Sequence, residues 1–163
     1  MTAAVDVDLL REVERFVFRE ARFQDELAYD DWEALWADDG VYWVPANGDD
    51  IDPEVSMSII YDNRSRIALR VKQLHTGKRH SQSPPSRLRR LISNVELLDG
   101  AADGAILAAA NFVIYESRER GVTIWAGRSE YTVRREGDDF RMVRKKVMLV
   151  DNDRALSTLA FLV

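Results

Sequence analysis

The sequence predicts an α+β fold, with helices first and an antiparallel sheet after them. Apolar residues recur at helical spacing through much of the stretch up to about residue 77. From Arg87 onward the texture changes to long strand-like runs joined by short connections that contain glycine. These runs alternate incompletely: Phe112 and Ile114 point one way, Val113 and Tyr115 the other. Strands that are apolar on both faces are covered on both, here by helices on one side and by another chain or sheet on the other. Helices followed by an antiparallel meander make an α+β architecture.

The first helix is read over Asp8–Ala28, with Leu9, Leu10, Val13, Phe16, Val17, Ala21, Gln24 and Ala28 at helical spacing. A second helix is read over Asp30–Asp39. Asp30 stands as its N-cap and Glu33 completes a capping box. Trp32, Leu35 and Trp36 share one face of it, and Gly40 follows as its C′ residue. Asp38 and Asp39 then lie at the negative end of the helix dipole, where helix stability does not explain them. Val41–Val44 reads as a strand closed by Pro45, and Ala46–Ser56 as a polar surface loop. A third helix begins near Asp62–Asn63, buries Ile67, Val71 and Leu74, and ends before Gly77. His80–Ser86 is a second loop, because Pro84–Pro85 fits neither a helix interior nor a central strand. Strands follow at Leu88–Leu98, Ala105–Arg118, Val122–Arg135 and Phe140–Val150. The organisation is one domain over residues 1–163, with helices at roughly 8–77 and strands at roughly 41–44 and 87–163.

Composition removes several classes of function. With 23 basic against 28 acidic residues in 163, the net charge of −5 disfavours general nucleic-acid binding. There is no cysteine, so thiolate nucleophiles, zinc–thiolate sites and cysteine-held iron–sulfur clusters are excluded within the chain. No apolar run approaches the roughly 20 residues of a membrane span, and Met1–Asp8 has no basic start followed by an apolar core. The expected location is cytoplasmic, with no membrane and no nucleic-acid partner.

Candidate chemistry is sparse. His75 and His80 could be two of the three ligands of a 2-His-1-carboxylate Fe(II) site. Lys78 and Arg79 disfavour a divalent ion there, and residues 63–95 hold no carboxylate to complete it. The pairs Asp38–Asp39, Asp49–Asp50 and Asp138–Asp139 sit in turns, where neighbours rarely converge on one substrate. No Gly-x-Ser-x-Gly elbow or phosphate loop occurs. Trp32, Trp36, Tyr42 and Trp43 read as core packing rather than a pocket lining. No catalytic, metal or cofactor-binding residue is assigned.

Charge is unevenly placed. Residues 6–54 hold 16 acidic and 4 basic side chains, whereas residues 63–95 hold 9 basic and no acidic ones. The two regions either neutralise each other within the fold or leave a basic docking surface for an acidic partner. Arg87, Arg89 and Arg90 are the candidate subunit-interface residues. Strand alternation puts Arg87 and Arg89 on one face and Arg90 on the other, so at least one is expected to pair within its own chain.

A longer pattern carries a resemblance. It runs through Asp25-Glu26, Tyr29, Trp32, Leu35, Asp38-Asp39, Tyr42-Trp43 and Pro45, then Tyr61-Asp62, Arg66-Ile67 and Arg70. It continues in Pro85-Ser86-Arg87, Arg90 and Ile92-Ser93-Asn94-Val95, then Tyr115, Ser117-Arg118, Gly127-Arg128, Tyr131 and Arg134. It closes on Arg144-Lys145, Leu149, Asp151 and Phe161-Leu162-Val163. In this order the residues resemble the small (β) subunit of aromatic-ring-hydroxylating, Rieske non-haem iron dioxygenases. The Ala46–Met57 loop departs from the pattern and indicates no substrate class.

The resemblance implies the cone of the nuclear-transport-factor-2-like (NTF2-like) superfamily, with N-terminal helices packed on a strongly curved, mostly antiparallel sheet. It implies a structural, non-catalytic subunit assembled with a large (α) catalytic subunit, three of each, and self-association as a trimer. The Rieske [2Fe-2S] cluster and the mononuclear Fe(II) are expected in the large subunit, with no cofactor in this chain. The assembly would insert both atoms of O₂ into an arene to give a cis-dihydrodiol, drawing on NAD(P)H through separate carriers. The alternative is a stand-alone isomerase or dehydratase working in the cone cavity. That alternative requires a histidine or acidic dyad facing an open cone; a cone filled by bulky side chains favours the subunit. A third reading, a homo-oligomeric binding protein, requires an apolar cavity without titratable groups.

Overall fold

Helix α1, Val7–Asp25, buries the stripe Val13, Phe16, Val17, Glu20, Ala21 and Gln24, and Asp6 caps its N-terminus by accepting the Leu9 N–H at 3.0 Å. The computed structural model describes residues 4–76, 85–154, 159 and 161–163. The helix stops three residues before the expected Ala28. Leu27 takes φ 56°, and Ala28 N–H reaches back to the Phe23 carbonyl at 2.9 Å, the six-to-one bond of a Schellman closure. Leucine in a slot that favours glycine is why the stop is not legible locally.

The second expected helix is corrected by the structure. Helix α2 covers only Tyr29–Glu33, begins at Ala28 without a side-chain cap, and gives way to strand β1, Trp36–Pro45. Trp36 is drawn into the sheet beside Met142, whose N–H bonds the Leu35 carbonyl at 2.7 Å. Trp32, Leu35 and Trp36 still reach the same core, but through a helix–turn–strand path. Gly40 lies inside β1 rather than after a helix; a Cβ there would stand 2.7 Å from the Trp36 ring.

Strand β2, Ser58–Asp62, was not expected; it pairs antiparallel with β1. Helix α3, Arg64–Thr76, starts where Asn63 accepts the Arg66 N–H at 3.0 Å, and it buries Ile67, Val71 and Leu74. Gly77, His80 and most of the second expected loop lie outside the described residues. Strands β3 (Arg87–Leu98), β4 (Ile106–Arg118), β5 (Gly121–Glu136) and β6 (Asp139–Leu149) fall within about one residue of expectation. The described chain beyond β6 is turns and irregular tail, so the strand region ends at Leu149 instead of running on to residue 163.

The six strands form one open, curved sheet in the order β2-β1-β6-β5-β4-β3, antiparallel throughout except between β1 and β6. Irregularities in register at Ser93/Glu96 and Thr132/Val133 bend the strands in the manner of β-bulges. Helix α1 lies against β3, α3 against β1 and β2, and α2 links the two helices. The core between helices and sheet holds Trp32, Trp36 and Tyr42 edge to face, with ring centroids 5.6–5.8 Å apart.

Gly127 is the most tightly packed of the described glycines. A Cβ at that position would overlap the Met148 carbonyl oxygen and stand 2.7 Å from the Phe112 ring. Gly127→Ala is therefore expected to lower stability by about 1–3 kcal/mol through overpacking. Urea unfolding checks this; a loss below a few tenths of a kcal/mol would show that Phe112 yields freely.

Candidate functional site

The cone interior is the first place to look for chemistry. Parallel pairing of β1 with β6 sets Tyr42 beside Lys145, and antiparallel pairing of β5 with β6 sets Tyr131 on the other side of it. Three strands thereby present Tyr42, Lys145 and Tyr131 as one inward row, while the buried stripe of α1 brings Glu20 down from above. Lys145 Nζ lies 3.0 and 2.7 Å from the two Glu20 oxygens. Trp32 Nε1 donates to Glu20 Oε2 at 2.9 Å and the Tyr131 hydroxyl to Oε1 at 3.2 Å. The third Lys145 proton and the Tyr42 hydroxyl both point at the Val163 main-chain oxygen, at 3.0 and 2.8 Å.

Burial fixes the protonation of this cluster. It pushes the Tyr42 and Tyr131 phenols well above the ordinary tyrosine value. It also pushes Lys145 below the ordinary lysine value, against the opposing pull of the Glu20 carboxylate. A raised phenol pKa gives stability that is complete below the unfolded value of about 10 and lost as pH climbs toward the folded one. Of the five tyrosines, Tyr42 and Tyr131 are thus expected to form phenolate only as the fold is lost. Parallel phenolate absorbance and far-UV dichroism titrations check this; five titrating phenols in a chain with unchanged dichroism would contradict it.

The arrangement is a closed structural network. Both Glu20 oxygens are occupied by donors, and Trp32, Trp36, Trp125, Tyr42, Tyr131 and Phe161–Val163 belong to the buried core that surrounds it. Among the described residues no histidine enters it. His75 pairs at the surface with Asp30, 2.7 Å away, and His80 lies outside the described residues. The aspartate pairs disperse as well. Asp39 meets Arg134 at 2.9 Å, which holds its carboxyl low. Asp49 accepts from Asn152 at 2.8 Å, and Asp139 meets Arg19 at 2.7 Å. Among the described residues no three histidine or acidic side chains are grouped as a metal site.

The outer face of the sheet is the second place. Cross-strand register places Arg87, Ser117 and Val122 in one row, Arg89, Tyr115 and Ile124 in the next, and Leu91, Val113 and Ala126 in the third. Leu91 is 71% exposed, Ile124 64% and Tyr115 51%, so this three-by-three grid is an open apolar patch with two arginines along its β3 edge. Arg90, facing the other way, is buried. It meets Asp25 at 2.7 Å through Nε and 3.0 Å through its backbone N–H, Gln24 at 2.8 Å, and the Leu162 carbonyl at 3.2 Å. The basic and acidic regions partly neutralise each other through Arg90–Asp25 and Arg64–Glu33, leaving Arg87 and Arg89 outside.

Sequence reasoning missed Glu20 and Lys145. A signal existed for Glu20, which falls on the apolar stripe of α1 between Val17 and Gln24. Lys145 sits between Arg144 and Lys146, and such a run reads as solvated charge.

Comparison with known proteins agrees with this geometry. The family described as ring hydroxylating beta subunit matches residues 19–154. The chain is 29% identical to biphenyl 2,3-dioxygenase subunit beta of Rhodococcus jostii (strain RHA1), over 95% of this chain and 88% of that protein. It is also 29% identical to benzene 1,2-dioxygenase subunit beta of Pseudomonas putida, over 98% of this chain and 91% of that one. Among solved structures, the beta subunit of benzoate 1,2-dioxygenase from Burkholderia mallei is 28% identical. It superposes with a TM-score of 0.76 over 99% of this chain and 100% of that one. A scytalone dehydratase-like structure from Novosphingobium aromaticivorans, 15% identical with a TM-score of 0.66 over 93% of this chain and 91% of that one, shares the fold alone.

Proposed function

The chain belongs to the family of ring-hydroxylating beta subunits, and from that premise we infer that it acts as the structural small subunit of an aromatic-ring dioxygenase with the NTF2-like cone fold. The observation that carries the reading is the pairing of a filled cone with an open apolar sheet face. Among the described residues, buried core side chains occupy the cone where a stand-alone isomerase or dehydratase would need an open site, while the outer face has the character of an interface. Residues 1–163 work as one domain of the assembly.

The partner is a large catalytic subunit, three of each, and that subunit holds the Rieske cluster and the mononuclear Fe(II). The reaction of the assembly is dihydroxylation of an aromatic ring, fed with electrons from NAD(P)H. No described helix is long and apolar enough to cross a membrane, and the assembly works in the cytoplasm. The apolar grid of β3, β4 and β5 is covered by a neighbouring copy of this chain in a closed ring of three, a heterologous contact. Arg87 and Arg89 at its edge meet carboxylates of that copy or of the large subunit, for which the planar guanidinium is well suited.

Co-expression with the large subunit and mass measurement by light scattering tests this. The wild-type chain is expected as a trimer alone and as a hexamer with its partner. Arg87→Glu with Arg89→Glu is expected to weaken assembly by about 2–5 kcal/mol if a buried pair is broken and by much less at a rim. Assembly and salt dependence untouched by the double reversal would make this edge a solvated face. A monomeric wild-type chain at micromolar concentration would count against the trimer.

A further inference from the structure

The tail that closes the cone is held as a ligand is held. Phe161, Leu162 and Val163 belong to no helix or strand, yet they are 6%, 3% and 2% exposed. Phe161 meets Trp125 edge to face, ring centroids 5.6 Å apart. The Leu162 main-chain oxygen accepts from Arg90 Nη2 at 3.2 Å. The Val163 oxygen accepts from both the Tyr42 hydroxyl and Lys145 Nζ, and the Val163 N–H returns a bond to the Tyr42 oxygen at 3.0 Å. The donors come from β3, β1 and β6, and Arg90, Tyr42 and Lys145 are each more than nine-tenths buried.

A pocket with these features reads main chain. Two successive main-chain oxygens and one N–H are matched by fixed donors and an acceptor, and each donor left empty in a buried site carries its full desolvation cost. Two of the three are cations pinned by carboxylates, Arg90 by Asp25 and Lys145 by Glu20, so the site is preorganised whether or not the peptide is covalently attached. Beside Arg90, the Gln24 side chain adds a buried amide NH2, Nε2, with no partner among the described residues.

We propose that the floor of the cone is a binding pocket for a short apolar peptide segment presenting two successive main-chain oxygens. Residues 161–163 are its resident ligand, and a chain lacking them takes the same tripeptide from solution. The pocket is independent of the outer sheet face, so assembly and peptide binding succeed or fail separately.

Hydrogen exchange in the full chain is the first test. The Val163 amide is expected to exchange at least ~100-fold slower than in the free tripeptide, since its bond opens only with the pocket, and Tyr42→Phe is expected to remove much of that protection. Exchange at the free-peptide rate overturns the proposal. The second test uses a chain ending at residue 160 and the peptide Phe-Leu-Val, followed by tryptophan emission and thermal unfolding. Saturable one-to-one binding that raises the melting temperature is expected. The reversed peptide Val-Leu-Phe is expected to bind at least ~10-fold more weakly, the ratio that one or two lost buried hydrogen bonds give. Failure of Phe-Leu-Val to bind a folded shortened chain, or to refold an unfolded one, overturns the proposal.

Discussion

Lys145→Met is expected to lower the stability of the chain by about 3–5 kcal/mol, the cost of removing one partner of a buried ion pair while the other stays. The Lys145 and Glu20 side chains are 2% and 1% exposed, so water cannot replace the lost partner without opening the cone. Methionine keeps most of the lysine volume against Tyr131 and Tyr42, which isolates the electrostatic part of the loss. The double variant Lys145→Met/Glu20→Leu removes both charges and is expected to recover a large share of the stability. The pH dependence provides a second signature. Because burial lowers the folded pKa of Lys145 below its unfolded value of about 10.4, the unfolded chain holds more protons between the two values. Lysine 145 by itself therefore makes stability rise with pH in that window, and the methionine variant lacks this component. Urea unfolding of the three chains from neutral to alkaline pH measures both effects. A single variant within about 1 kcal/mol of wild type would mean that the cone admits water to Glu20.

What could be read from the chain follows from how local each signal is. The α1 stripe and the four long strands are set by periodicity within a window; the strands came out nearly to the residue, and α1 did so at its start but ended three residues early. Helix α2 failed because the spacing of Trp32, Leu35 and Trp36 serves a helix–turn–strand corner equally well. The choice is made far away, by the parallel pairing of Trp36 with Met142 on β6. Strand β2 was missed because five residues offer little pattern and its pairing partner decides it. The same locality divides the site. The opposite orientation of Arg90 from Arg87 and Arg89 follows from strand alternation, and so does the double-sided character of β4. The row of Tyr42, Lys145 and Tyr131 depends on the register of three strands that no window contains. Nor does any short pattern say that Phe161–Val163, beyond the last strand, return to the centre of the cone.

Arg90→Met should cost about 3–5 kcal/mol as well, for a different structural reason and with a sharper contrast available. Arg90 and Asp25 have side chains 3% and 5% exposed. Asp25 is the last residue of α1, so the pair fastens that helix end to β3 while a second guanidinium nitrogen holds the Leu162 carbonyl. Methionine preserves bulk and leaves Asp25 with the Arg90 backbone N–H alone. Arg90→Lys should recover little, since one ammonium cannot reach Asp25, Gln24 and Leu162 with the geometry of a planar fork. One residue before it on the same strand, Arg89 projects outward, and its reversal together with Arg87 should change monomer stability by no more than about 0.5 kcal/mol. The two experiments therefore divide the basic segment by direction. Position 90 should register in chemical denaturation of the isolated chain, and positions 87 and 89 in the mass of the assembly. Equal stability losses at positions 89 and 90 would mean that the outer arginines are also held by their own chain, and the alternation of β3 would no longer separate a brace from a contact.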